Sequence, residues 1–404
     1  MLFSSIDECI PKRKKLVRRH APRLTNDLIK LCRRKKSLYR KAKRWGRDND
    51  WFEYRALNNS LKKACNSARR QYVYNIAQDL KTNGNPKSFW SYVKAARKGT
   101  NDLVALKVGS STLTDDLDIA ESMNSYFSSV FTSECFTNFP GFSKVVDSNL
   151  SSIVCNANEV THILKNLNAY KSPGPDHLPP RVLKECAVEL APSLCELLNR
   201  SFSSSSIPRI WKQADIVPIH KKGSKTAREN YRQISLTSIA CKVCEKIVKN
   251  RVINFWNELN VFNPIQFGFL EGKSTLTQLL SCYNDWALSR NKSTPTDVVF
   301  LDFTKAFDLV PHERLLLKLK GYGIEGDLLQ WFRNYLSNRE QRVVVRGTFS
   351  SWSHVKSGVP QGTILGPILF LIYVNDISSN ISSCIRMFAD DTKVYRELTN
   401  PEVF

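Results

Sequence analysis

The sequence predicts a mixed α+β fold preceded by a separate basic helical region. Three observations carry this reading. Residues 1–100 hold 27 Lys and Arg against 7 Asp and Glu, a net of +20, so the rest of a chain of formal charge +23 nets only +3. Apolar residues recur every three or four positions through residues 25–80, the period of a helix. Beyond Pro208 helical stretches alternate with short apolar runs, 215–219 and 297–303, that read as strands. At 404 residues the chain has room for more than one folding unit. The loosely patterned segment 132–152 is the best boundary, giving units 1–150 and 151–404.

Thr25 or Asn26 can cap a first helix running to about Trp45 and ending near Gly46. A second helix is predicted from Asp50 to about Leu80. Asn83-Gly84-Asn85-Pro86 breaks it, and Pro86 opens a short third helix carrying Phe89, Trp90 and Val93. Basic and aromatic residues interleave here, among them Tyr39, Trp45, Trp51, Tyr72, Tyr74 and Trp90. Most of the rings read as the apolar stripe of a helical hairpin. The charges, Lys35, Lys36, Arg40, Arg69 and Arg70 among them, read as phosphate contacts. Residues 104–114 read as a turn or linker and 116–131 as a helix.

Helices follow over 158–167 and 180–202, separated by the rigid loop Lys171-Ser172-Pro173-Gly174-Pro175-Asp176. The strand at 215–219 runs into His220-Lys221-Lys222-Gly223, a hairpin tip suited to phosphate, and returns through Tyr231-Arg232-Gln233-Ile234-Ser235-Leu236. Helices are predicted at 238–259 and 274–289, around the loop Asn263-Pro264-Ile265-Gln266-Phe267-Gly268-Phe269. The run 297–303 reads as a largely buried strand, so an acid within it, Asp302, calls for a partner or a cation. Gly358-Val359-Pro360-Gln361-Gly362 is a turn where backbone can approach a ligand closely. It leads into an apolar helix ending near Ile377. Phe388-Ala389-Asp390-Asp391 then sets two carboxylates side by side. They repel unless solvent or a divalent cation intervenes.

These blocks, in this order, resemble the reverse transcriptase of a non-LTR retrotransposon, closest to LINE-like elements of the Jockey and CR1 kind. The ordered set comprises the 171–176 loop, Ile219-His220-Lys221-Lys222-Gly223, the 231–236 arm and Gln266-Phe267-Gly268-Phe269. It continues with Asp302-Phe303-Thr304-Lys305-Ala306-Phe307-Asp308, the 358–362 turn and Phe388-Ala389-Asp390-Asp391. The resemblance implies a right-hand polymerase, fingers and palm around an antiparallel sheet, with the basic helices as linker. It implies a chain truncated at both ends, its endonuclease upstream and its thumb downstream. Asp302, Asp390 and Asp391 would be the catalytic, metal-binding carboxylates for two Mg²⁺ ions, with Mn²⁺ as substitute. Lys221, Lys222, Arg232, Phe303, Phe307, Gln361 and Gly362 would bind the incoming nucleotide. Phe307 would pack under the sugar and reject a 2′-hydroxyl. Partners would be an RNA template, a DNA primer or target DNA, and dNTPs. Gln233 stands where the family usually has proline, which loosens the turn before Ile234.

The 11 cysteines are scattered. The Cys241-Lys242-Val243-Cys244 spacing falls in a helical pattern, so the cysteines read as reduced, mostly core thiols of an intracellular protein of nucleus or cytoplasm. The longest apolar run, 364–374, is broken by Gly366-Pro367 and too short to span a bilayer. Pro11-Lys12-Arg13-Lys14-Lys15 could serve as a nuclear signal. The competing function is a non-catalytic nucleic-acid-binding remnant acting through the basic helices.

Overall fold

The structure, a computed structural model, describes residues 24–83, 105–134 and 141–398, with Glu8, Leu103 and four residues between 89 and 93. The 11–15 basic cluster and the start of the third predicted helix lie outside the described residues. Two compact units divide at Asp102 and Leu103, not near residue 150. The boundary expected at 132–152 fails for a physical reason. Segment 145–150 is stitched to the second unit by Val145 N–H donating to Gly321 O at 2.8 Å and Leu150 N–H to Gly323 O at 2.8 Å.

The first unit holds α1 (Asn26–Trp45) and α2 (Asp48–Asn83). Thr25 caps α1 through Leu28 N–H, and Gly46 ends it at φ 64, as the capping pattern predicts. Tyr39, Trp51 and Tyr54 meet edge-on or tilted, with centroids 5.4–6.1 Å apart, and Lys41 pairs with buried Asp50 at 2.7 Å. These contacts close a helical hairpin. The aromatic stripe holds only in part, since Trp45, Tyr74 and Trp90 are exposed.

In the second unit, 104–114 is no linker. It folds into β1 (Leu106–Val108) paired with β2 (Ser111–Leu113), followed by α3 (Asp116–Ser129). Ile119, Met123 and Phe127 of α3 pack with Leu106 against Ile216 and Val343. Those last two residues lie on β3 (Gln213–His220) and β6 (Arg339–Val345). β3 pairs antiparallel with β4 (Tyr231–Thr237) and parallel with β6, and β6 also pairs with β7 (Thr348–Phe349) and β8 (Ser353–Val355).

Helices α4 (Ala157–Lys165), α5 (Pro180–Glu185), α6 (Ala187–Ser203), α7 (Arg209–Lys212) and α8 (Ile239–Glu258) lie on either side of β3 and β4 in sequence. The helix predicted over 180–202 is thus divided at Cys186. α9 (Thr275–Asn291), α10 (His312–Gly321), α11 (Gly326–Leu336) and α12 (Gly366–Tyr373) are the remaining α-helices described in the second unit. Trp256, Trp331, Phe332, Tyr335 and Phe370 are fully buried. Among the described residues no helix is long and apolar enough to cross a membrane.

A separate antiparallel sheet runs in the order β5-β10-β9, from β5 (Thr296–Leu301), β10 (Asp391–Glu397) and β9 (Cys384–Phe388). α9 covers part of one face, where Arg386 and Tyr395 both reach Asp285. The expectation that 297–303 is largely buried is not met. Among the described residues β5 lies at the sheet edge, and Phe300 is 67% exposed and Val299 54%.

Candidate active site

Asp390 sits in the two-residue turn between β9 and β10, where Phe388 pairs with Asp391. Ala389 holds φ 56 there, a strained value for a residue with a Cβ. The surrounding bonds explain why the turn persists. Gln266 Oε1 accepts from Ala389 N–H and from Gly268 N–H, each at 2.8 Å. Phe267 N–H donates to Met387 O at 2.8 Å and Met387 N–H to Ile265 O at 2.9 Å. Gly268 lies so close that a Cβ would stand 2.4 Å from Ala389 N. The loop 265–268 is therefore a brace moulded to the hairpin that presents Asp390.

Asp302 follows β5, which pairs with β10 so that Leu301 faces Thr392. This register brings the end of β5 beside the Asp390 turn. After Asp302 the chain makes a tight turn with Lys305 at φ 49. Phe307 stacks on Phe370 with centroids 4.5 Å apart and meets Phe269 edge-on at 6.1 Å. Val359 N–H donates to Phe307 O at 2.8 Å and Gly358 N–H to Val310 O at 2.7 Å, tying this segment to the Gln361 turn.

That turn is closed against β4. Ser235 N–H donates to Gln361 O at 2.7 Å, and Gly362, at φ 109, leaves no room for a Cβ beside Ser235 O. Beneath it Glu245, fully buried on α8, accepts from Ile364 N–H at 2.6 Å and from Tyr335 O–H at 2.8 Å. Glu245→Ala leaves both donors unpaired. We expect it to lower unfolding free energy by about 3 kcal/mol, read by urea denaturation. A variant within about 0.5 kcal/mol of the parent would remove this carboxylate from the turn's support.

The third contribution is the β3–β4 tip. Lys221 and Lys222 are exposed there, and Lys221 N–H is fixed to Asn230 O at 2.8 Å. Arg232 is exposed on β4 while its neighbours Tyr231 and Gln233 are buried, so alternation along the strand turns it outward.

One cavity of about 600 Å³ is lined by residues from all of these elements. Asp302, Asp390, Lys221, Lys222, Arg232, Phe303, Phe307, Gln361 and Gly362 all line it. Asp391 does not; it begins β10 with its side chain exposed. Burial raises the Asp390 pKa above the ordinary carboxylate range. Its own backbone N–H opposes this, the charges of Asp391 and Asp302 add to it, and Arg232 opposes it. Among the described residues no group of three or more acidic, histidine or cysteine side chains stands close enough to hold a metal. The site is thus two carboxylates on one cavity with a third beside them, facing cations across the gap. Burial is the larger cause of the raised proton affinity, and two such oxygen donors supply part of a hard divalent cation's coordination sphere.

Of the expected polyanion contacts in the first unit, Lys36, Arg40, Arg69 and Arg70 are exposed and Lys35 is partly so. Cys241 and Cys244 are both buried on α8, and burial raises both thiols far above their ordinary range.

Four residues that shape the site carried no role in the sequence reading. Glu245 was detectable as a lone acid among Cys241, Cys244, Val248 and Val252, three or four residues apart on α8. Gln266 gave no sign of its function as a brace. Asp308 also lines the cavity; burial raises its pKa, and a hydrogen bond from the Gln233 side chain opposes the shift. Gln233 therefore adds a polar contact where proline could make none. Tyr126 of α3 accepts from Lys305 Nζ at 2.6 Å, which links the early helix to the Asp302 turn.

Residues 219–400 match the family described as reverse transcriptase (RNA-dependent DNA polymerase). The chain is 32% identical over 226 residues to the probable RNA-directed DNA polymerase from transposon BS of Drosophila melanogaster, covering 54% of this chain and 24% of that protein. To the RNA-directed DNA polymerase from mobile element jockey of the same fly it is 31% identical over 246 residues, 58% of this chain and 27% of that protein. The jockey polymerase of Drosophila funebris aligns over 387 residues at 24% identity, 91% of this chain and 42% of that protein. The chain therefore spans between about a quarter and a half of these relatives' length. The family generally uses divalent metal ions.

Proposed function

We propose that the second unit, from Leu103 onward, forms the fingers and palm of an RNA-directed DNA polymerase, with the basic helices before it as a nucleic-acid-binding linker. The polymerase would extend a DNA primer from dNTPs on an RNA template within the cell, in nucleus or cytoplasm. The observation that carries this is the single cavity uniting Asp302 and Asp390 with Lys221, Lys222, Arg232, Phe307 and Gln361. In this reading β3–β4 belongs to the fingers and β5-β10-β9 to the palm.

Asp302 and Asp390, with Asp391 beside them, would hold two Mg²⁺ ions, or Mn²⁺ in their place. When bound, such ions supply Lewis acidity toward the triphosphate and the attacking 3′-oxygen. The protein's own part is positional and electrostatic. Lys221, Lys222 and Arg232 offset the charge of the triphosphate. Gln361 offers an amide to the nucleotide from a turn tied to β4, so its placement costs little reorganisation at reaction. Phe307 is held between Phe370 and Phe269 and presents a flat wall to the sugar.

Primer extension on an RNA template with Mg²⁺ tests the assignment, and absence of incorporation by folded protein would overturn it. Phe307→Val should raise ribonucleotide use relative to deoxyribonucleotide use about tenfold or more, since removing the wall relaxes a size filter. The ratio of kcat/KM values for the two nucleotides measures this. An unchanged ratio takes Phe307 out of sugar selection.

A further inference from the structure

A second cavity, of about 390 Å³, lies between α8 and the segment 260–273. One wall is a stripe along α8: Lys246, Lys249, Asn250, Asn254 and Asn257 recur at helical spacing on one face. The facing wall carries Phe269 and Lys273, with Glu271 as the acid in the lining. Lys273 is already engaged, donating to Pro264 O at 3.0 Å and Gln266 O at 2.8 Å. It holds the wall in place, and the cations presented to a ligand are Lys246 and Lys249.

Phe269 joins this cleft to the candidate active site, because it lines both cavities. It is 48% exposed and held at φ 57, an unusual conformation for a bulky residue, with its ring edge-on to Phe307. The asparagine amides suit hydroxyls and unpaired base edges, the ring suits stacking, and the two ammoniums suit phosphates. A cleft of this volume admits a short stretch of single strand and no duplex. Burial, and then the neighbouring Lys246, lower the Lys249 pKa below the ordinary lysine range, while Glu271 opposes the shift. A bound phosphate would relieve that repulsion.

We propose that this cleft binds the unpaired RNA template strand beside the active site, with Lys246 and Lys249 on its phosphates and Asn254 and Asn257 on its sugars and bases. The assignment rests on the polymerase reading for the identity of the strand. It goes beyond that reading in placing a strand path along α8 and past Phe269.

Equilibrium binding of the full chain to two RNA–DNA hybrids tests it. One hybrid is blunt; the other carries an unpaired 5′ RNA extension of about ten nucleotides. The double variant Lys246→Ala, Lys249→Ala should bind the extended hybrid about tenfold more weakly. Its slope of log affinity against log salt should flatten by about 1.4, two phosphates at about 0.7 each. Blunt-hybrid binding should stay unchanged. The Lys246→Arg, Lys249→Arg pair should restore affinity. Asn254→Asp, an exposed change with little effect on folding, should weaken only the extended hybrid. Equal loss on both hybrids, or loss on neither, overturns the proposal. Because binding needs no turnover, the two readings fail separately. A chain that incorporates no nucleotide yet binds the extension through the lysine pair loses the polymerase reading alone. An active chain whose extension binding ignores the pair loses the cleft alone.

Discussion

Asp390→Asn should lower nucleotide incorporation about a thousandfold while leaving the metal-free protein more heat-stable than its parent. Both halves follow from the burial of this carboxylate beside two others. The carboxylate lies on the cavity with Asp302, and Asp391 is its neighbour in the hairpin. Burial and those two charges raise its pKa above the ordinary range. The stabilisation from its proton is therefore complete below the ordinary carboxylate range and is lost as pH rises through the raised value. At neutral pH the ionised group works against folding, and an uncharged amide removes that penalty. Steady-state incorporation and a thermal melt in chelator, run on both proteins, measure the pair of effects. A variant that keeps more than about a tenth of parental activity would contradict the assignment of Asp390. One that melts below the parent in chelator would contradict the electrostatic account.

Gly268→Ala is expected to impair the site without touching a charged group. The new Cβ would stand 2.4 Å from Ala389 N, which is backbone and cannot swing aside. The brace or the hairpin must shift, and Asp390 moves with the hairpin. A displacement near 1 Å costs about a hundredfold in rate, and overpacking of this kind costs about 1–3 kcal/mol in stability. Gly141→Ala is the control, because a Cβ there meets nothing within 4 Å. It should stay within about 0.5 kcal/mol of the parent. If Gly268→Ala polymerises at the parental rate, the 265–268 loop does not set the position of Asp390.

The helices were legible wherever caps and breakers agreed with periodicity, as at Thr25 and Gly46 around α1 and Ser238 before α8. β6 was not, although its burial alternates along its length. Arg339 and Gln341 occupy two of the buried positions, so the hydropathy pattern hides what the structure shows. β5 misled in the opposite direction. Its unbroken apolar run implies two covered faces, yet it forms a sheet edge.

The residues expected around the nucleotide come from local blocks, and the structure brings them onto one cavity. Its supports were not legible. Glu245 meets Ile364 across 119 residues and Gln266 meets Ala389 across 123, and no local pattern encodes such pairs. The domain boundary was missed for a related reason, since β1, β2 and α3 owe their place to core contacts with β3 and β6.

The β5 edge also has a consequence for handling the protein. Val299, Phe300 and Leu301 are between 42% and 67% exposed, on a strand whose one described ladder partner is β10. Free backbone donors beside apolar side chains template intermolecular strand addition. Purified chain should therefore lose colloidal stability as concentration rises, and added salt should worsen this by screening the repulsion between positively charged molecules. Val299→Lys, a gatekeeper charge on that edge, should raise the concentration at which light scattering begins.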